Sequence, residues 1–210
     1  MKLVDPDGMD TLLFDKTGRY QKTLPNGDNI GLMQDKSENY SIKFSFADER
    51  WCDKFTTMDD LELQVENQGK WRNDKHFNRV TFADTKFIEN QLDISKVNDV
   101  ELQNAPMPFK LLFAASQSRG NKKLLDFVNH PNLQKIASGT LIITKTKGDY
   151  LAHDIFNFGN FLWGAAMGRL GISPLMVKVG SNVDAMIHTG SWDSNDDQRS
   201  IWAGYKYVQK

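Results

Sequence analysis

The chain has 210 residues, of which 40% are hydrophobic and 25% charged, with a net charge of −1. That composition excludes disorder over most of its length and matches a folded globular protein with one good-sized core or two small ones. A single cysteine, Cys52, excludes an internal disulfide and any zinc site built on two or more cysteines.

The near-neutral total hides a split. Residues 1–105 carry 14 Lys/Arg against 20 Asp/Glu, while residues 106–210 carry 12 against 7. The second part is therefore the better candidate for meeting an anionic polymer, either nucleic acid or cell wall. Solvated surface charge accounts for the same numbers. No apolar run follows a basic start, so no secretory signal is read. The longest apolar stretch, Phe158–Ile172, is interrupted by Asn160 and Arg169 and is too short for a membrane-spanning helix.

In chain order, Thr11–Phe14 reads as a strand, Asp15–Gly18 as a turn and Arg19–Leu24 as its return. Pro25-Asn26-Gly27-Asp28 is a second turn signal. Tyr40–Phe46 alternates apolar and polar residues, the period of a half-buried strand. Met58–Gln68 is acidic and suits a short helix or an edge strand. Arg79–Phe82 reads as a strand and Asp84–Asn98 as a helix with Phe87, Ile88, Leu92 and Ile94 supplying much of its apolar surface. Pro106 and Pro108 break regular structure where the charge balance changes sign, which places a boundary near residue 105. Beyond it, Phe109–Gln117 is a helix, Thr140–Thr144 a β-branched strand and Lys147-Gly148-Asp149 a turn. Phe158–Leu170 is a helix whose Gly164 and Gly168 share a face and imply close approach by another backbone. Asp196–Val208 is the last helix. The expected class is α+β: a β-rich lead-in over 1–105, then a compact, mainly helical domain over 106–210 with a short sheet.

Three segments carry a resemblance. They are Leu124-Leu125-Asp126-Phe127, then Phe158-Gly159-Asn160-Phe161-Leu162-Trp163-Gly164, then Asp196-Asp197-Gln198 before the final helix. Together they resemble the bacterial polymorphic toxins of type 44, over residues 106–210. Asn157 stands where many relatives carry an acid. The opening Asp5-Pro6-Asp7-Gly8-Met9-Asp10 is similar to the junction that follows an Rhs/YD-repeat shell, so the chain is expected to be an excised C-terminal piece. The resemblance implies an antibacterial effector delivered into a target bacterium, an encapsulating Rhs core on the same polypeptide, and a cognate immunity protein.

Several residues could carry chemistry. His153 is a candidate general base, its imidazole titrating near neutral pH. Asp154 follows it, and adjacent strand residues point to opposite faces, so Asp154 need not orient it. Asp126, in an apolar run, suits a second acid or base; a buried ion pair or a cap would use it equally well. Asn157, Gly159 and Asn160 at a helix start could bind an anion, with Asn160 stabilising developing charge; asparagine capping is the plainer alternative. Asp193, Asp196 and Asp197 precede the last helix, where Ser194 and Asp197 also form a capping-box pattern. Gln198 belongs to the same segment. Lys145 and Lys147 alternate on a strand, to meet phosphate or to protect an edge. His188 beside Gly190 is ambiguous, while His76 and His130 read as structural or solvated. Trp163, Trp192 and Trp202 could stack on bases or sugars, or pack in the core. A divalent metal is compatible with the acids and no cofactor is demanded.

No P-loop, dinucleotide fingerprint, HExxH or GxSxG occurs. The favoured expectation is phosphodiester hydrolysis in nucleic acid by His153, Asp126 and Asn160. The second is a cell-wall hydrolase in which Asp126 pairs with Asp154, Asp193 or Asp197 across one bond. The third is a non-enzymatic shell or adhesion fragment. A cleft with His153, lysines and one carboxylate would favour the first; paired carboxylates in one cleft would favour the second.

Overall fold

A computed structural model describes residues 10–25, 29–48, 77–120, 122–137 and 139–209. The expected turn centre Asn26-Gly27-Asp28, Cys52, the Met58–Gln68 element, His76 and all but Asp10 of the opening Asp5–Asp10 motif lie outside them, as does the side chain of His188. The class is α+β, with seven strands in one mixed sheet and six α-helices among the described residues.

The described residues form two compact units. The first takes those within Met1–Phe82, Ala137–Thr144 and Asp149–Ala152; the second takes Ala83–Ile136, Lys145–Gly148 and His153–Lys210. The Pro106–Pro108 break lies inside the second unit.

The sheet strands are β1 (Asp10–Phe14), β2 (Tyr20–Pro25), β3 (Ile30–Gln34), β4 (Tyr40–Phe46), β5 (Arg79–Phe82), β6 (Thr140–Thr146) and β7 (Asp149–His153). Their order is β2-β1-β3-β4-β7-β6-β5. β1 pairs antiparallel with β2 and parallel with β3, and β5 pairs parallel with β6. Alternate residues Leu12 and Phe14, Phe44 and Phe46, and Leu141 and Ile143 fill one core, as strand alternation requires. Gly31 sits opposite Phe44 in register, and a Cβ there would fall 2.0 Å from the Phe44 ring, so glycine lets that ring lie across β3. The β6–β7 turn is Lys147–Gly148, both with positive φ (50° and 100°), the conformation of a two-residue hairpin. At the opposite ends of the sheet order, Val80 donates to the Gly18 carbonyl at 2.7 Å and Tyr20 to the Asn78 carbonyl at 2.9 Å. The two outermost strands thus touch at one end, which covers part of two exposed edges.

The second unit holds the helices: α1 (Thr85–Ile94), α2 (Val100–Asn104), α3 (Met107–Gln117), α4 (Ile155–Arg169), α5 (Pro174–Thr189) and α6 (Asn195–Tyr207). A 3₁₀ turn covers Phe127–Asn129. α4 is its centre. Phe158, Phe161, Leu162, Ala165 and Ala166 are wholly buried, so α4 is apolar on more than one face. Its glycines meet α6 as their spacing predicts: a Cβ on Gly164 would lie 2.0 Å from the Ile201 carbonyl oxygen. Gly204 on α6 returns the contact, its Cβ position 1.8 Å from the Phe161 carbonyl oxygen. On another side, α1 packs Phe87 on Phe158 with ring centroids 6.2 Å apart, and Glu89 pairs with Arg169 at 2.7 Å.

Candidate active site

α4 begins at Ile155, three residues before the expected start, because Asp154 caps it. The Asp154 carboxylate accepts the Asn157 N–H at 2.8 Å. A carboxylate therefore already occupies the positive end of the helix. The Asn157 N–H, in the first turn of α4, is taken by Asp154, and Gly159 and Asn160 lie further inside the helix, so these main-chain N–H groups form no anion site. Gly159 has a packing reason as well: a Cβ there would sit 2.5 Å from Val128 Cγ2.

His153 ends β7 and is wholly buried. Its ring packs against Phe158 and Phe161, and its Nδ1 lies 2.9 Å from Ser200 Oγ on α6. Ser200 Oγ also lies 3.3 Å from Asn157 Oδ1, to which it can donate. Asn157 Nδ2 donates to Asp196 at 3.3 Å. Burial and the nearby Arg199 charge push the imidazole pKa down to about 3. His153 is neutral at physiological pH and is wrapped by aromatic rings, away from solvent. The general-base expectation has no exposed nitrogen to act through.

A cavity of about 1110 Å³ in the second unit lies elsewhere on α4. Asp126, Gly159, Asn160, Asp193 and Asp197 line it, together with Arg119 and the aromatic rings of Phe156, Trp163 and Trp192. His153, Asp154, Asn157, Lys145 and Gln198 are not on its wall. Of the expected residues, Asp126, Gly159, Asn160 and Asp197 are therefore brought together. Lys145 is an exposed residue of β6. Gln198 supports the wall from behind, donating to Ser181 at 2.6 Å and Asp193 at 2.8 Å.

The two principal carboxylates are held differently. Asp126 accepts the Gly120 N–H at 3.1 Å and the Asn129 side-chain amide at 2.9 Å. Asp197 accepts the Asn160 amide at 2.6 Å on Oδ1 and meets the Ser194 hydroxyl on Oδ2. Ser194 is also the α6 N-cap, as the capping pattern predicts. Burial raises the Asp197 pKa, and the Asp196 and Asp154 charges raise it further against the Ser194 hydrogen bonds. Trp163 is fixed by its indole N–H, which donates to Ser118 at 2.8 Å.

Arg119 escaped the sequence reading. It closes a helix in an unremarkable Ser-Arg-Gly turn, and only the fold places it beside the acids. Among the described residues, no group of three or more His, Cys, Asp or Glu side chains is arranged to hold a metal. No helix among them is long and apolar enough to cross a membrane. No protein-family profile, curated protein or solved structure matches the chain.

Proposed function

We propose that the second unit is the hydrolytic domain of an antibacterial toxin and that it cleaves a glycan of the bacterial cell wall by paired carboxylates. One observation carries the choice of substrate. Asp126, Asp193 and Asp197 share one cavity, in which Arg119 is the sole Lys or Arg among the described lining residues. Such a surface repels a polyphosphate and suits an uncharged or lightly charged sugar chain. Its aromatic lining adds broad apolar faces of the kind that bind ring-shaped ligands. The nuclease expectation leaned on His153 and lysines, and the cavity wall has neither.

Asp197 is the acid in this reading. Burial shifts its pKa upward and so favours the protonated form, with Asn160 held as a donor to Oδ1 and the Ser194 hydroxyl on Oδ2. That proton passes to the leaving glycosidic oxygen as the bond to the anomeric carbon breaks. Asp126, anchored by two donors, takes a proton from the attacking water, whose hydroxide completes the new bond. The toxin assignment rests on the resemblance in residues 106–210. It brings with it the cognate immunity protein, which would cover this cavity; delivery from an Rhs shell rests on the opening Asp5–Asp10 motif.

The test is direct. The full chain is incubated with purified cell-wall sacculi and, in parallel, with RNA and DNA. Release of soluble glycan fragments is expected, falling at least roughly a hundredfold in Asp126→Asn and Asp197→Asn. Expression should be toxic in the bacterial periplasm and harmless in the cytoplasm. Cleavage of RNA or DNA that both variants abolish would return the site to the nuclease reading. Inertness toward all three polymers would reject a hydrolase.

A further inference from the structure

The cavity carries two tryptophans of unlike status. Trp163 stands three residues after Asn160 on α4, hence on the same helix face, and its indole N–H donates to Ser118 at 2.8 Å. It is a fixed wall beside the Asn160–Asp197 pair. Trp192 lies on the cavity rim and is 71% exposed. Among the described residues its indole has neither a hydrogen bond nor a ring partner, whereas Trp202 packs edge-on against Tyr205 at 5.6 Å.

The main chain that carries Trp192 is nonetheless held on both sides. Gly190 ends α5 in the left-handed conformation (φ 71°) and donates its N–H to the Met186 carbonyl at 3.1 Å. Asp193 accepts the Gln198 amide at 2.8 Å, and Ser194 caps α6, whose third residue is Asp197. A large apolar ring is thus presented to solvent on a short link between two helix ends, five residues before the proposed acid. Tryptophan is highly buried on average, so an open indole at this place is a surface with an occupant to gain.

We infer that Trp192 is a stacking platform for a sugar ring of the glycan, at an outer subsite of the cavity. The proposal rests on the glycan reading above and deepens it. A pyranose carries C–H bonds on its faces and hydroxyls round its edge. Its face packs on the indole, and the indole N–H donates to an edge hydroxyl. Trp163 adjoins Asn160 and serves the sugar nearest the acid; Trp192, out on the rim, meets a sugar further along the strand. A nucleic-acid base also stacks on an indole, but it brings a phosphate with every unit toward Asp193, the next residue.

Calorimetry with full-length Asp197→Asn measures Kd for peptide-free cell-wall glycan strands without turnover. Adding Trp192→Ala should weaken binding roughly tenfold or more, as removal of an anchoring aromatic does. Trp192→Tyr should keep most of the affinity, and Trp192→Leu, which is apolar but has no ring, should lose as much as Ala. Glycan should shift the tryptophan emission of the Asp197→Asn chain to shorter wavelength as the exposed indole is covered, and the Trp192→Tyr chain should bind with most of that shift gone. Unchanged affinity in the Ala variant overturns the proposal, as does a Leu variant that binds as well as Tyr, a shift that survives in Tyr, or no binding at all. Trp192-dependent binding of single-stranded RNA in place of glycan overturns it too. Strands that bind through Trp192 but are not cleaved by wild type uphold the platform and reject the hydrolase. Strands that are cleaved while Trp192→Ala leaves their affinity intact do the opposite.

Discussion

His153 and Ser200 are 47 residues apart in sequence, and their side chains meet at 2.9 Å inside the second unit. The imidazole is a structural member of a buried chain of contacts through Ser200, Asn157 and Asp196, and its charging is opposed by burial and by Arg199. Between pH 6.5 and about 3 the unfolded chain holds a proton on this residue that the folded chain does not. Stability from this group is therefore complete above pH 6.5 and drains away as pH falls toward 3. The full effect is on the order of 5 kcal/mol. Urea titrations followed by helical circular dichroism should show a steep loss between pH 7 and 4. In His153→Gln the curve should start lower, from lost ring packing, and be flatter across that interval. An equally steep loss in the variant would place the acid sensitivity elsewhere.

Asp197 has the opposite sign. Its folded pKa is raised, so its contribution is fully present below the ordinary carboxylate pKa and is lost as pH climbs through the folded value. Asp197→Asn removes that cost and keeps an oxygen for the Asn160 amide. The variant should melt higher than wild type at pH 7, and the gap should narrow at pH 3. It should also lose hydrolytic activity. Stability gained where activity is lost is the pattern expected of a group held in a costly state for chemistry. A lower melting temperature at pH 7 would contradict it.

Tyr40–Phe46 was legible because alternation survives wherever one face is buried, and the strands of Leu12 and Leu141 showed as short apolar and β-branched runs. α4 and α6 were legible from their apolar residues, and Gly164 announced their close contact. What escaped was non-local. β3 carries Gly31 in a run too short to show a period, and its place beside β1 depends on pairing with a distant segment. α5 exposes Leu175, Met176, Val179, Val183 and Met186, so its apolar residues do not trace a buried stripe. The site was half legible. Asp126, Asn160 and Asp197 share the cavity, whereas His153, expected as a general base, ends β7 and is buried. Burial decides between a general base and a structural imidazole, and a sequence records burial only indirectly.

The glycines give a paired test of helix packing. A Cβ on Gly164 would strike the Ile201 main chain, which cannot move without dragging α6. Gly164→Ala should destabilise the chain by roughly 1–3 kcal/mol. Gly180 on α5 has nothing within 4 Å of its Cβ position. Gly180→Ala should therefore stabilise by about 0.5–1 kcal/mol, through helix propensity alone. Denaturant midpoints for both variants check the pair. Equal shifts of one sign would mean that the α4–α6 contact is looser than the geometry requires.

Gln91 on α1 is wholly buried, and neither its amide nitrogen nor its amide oxygen has a hydrogen-bond partner. Its neighbours in the same helix, Ile88 and Leu92, are wholly or almost wholly buried and apolar, so the amide sits on the inward face. Removing such a group from water without compensation costs about 1–3 kcal/mol by mutational measures. Methionine has a similar length and no hydrogen bonds to satisfy, and its flexible thioether fills irregular space. Gln91→Met should therefore raise the melting temperature, by an amount equivalent to roughly 1–3 kcal/mol. Gln91→Glu should do the reverse and by more, because burial disfavours a charged carboxylate, which would take up a proton instead. Melts of the three proteins at pH 7 and pH 4 separate the contributions. The Glu variant should recover at the lower pH, while the Met variant keeps its advantage at both. A Met variant less stable than wild type would mean that the Gln91 amide is hydrogen-bonded to trapped water in solution.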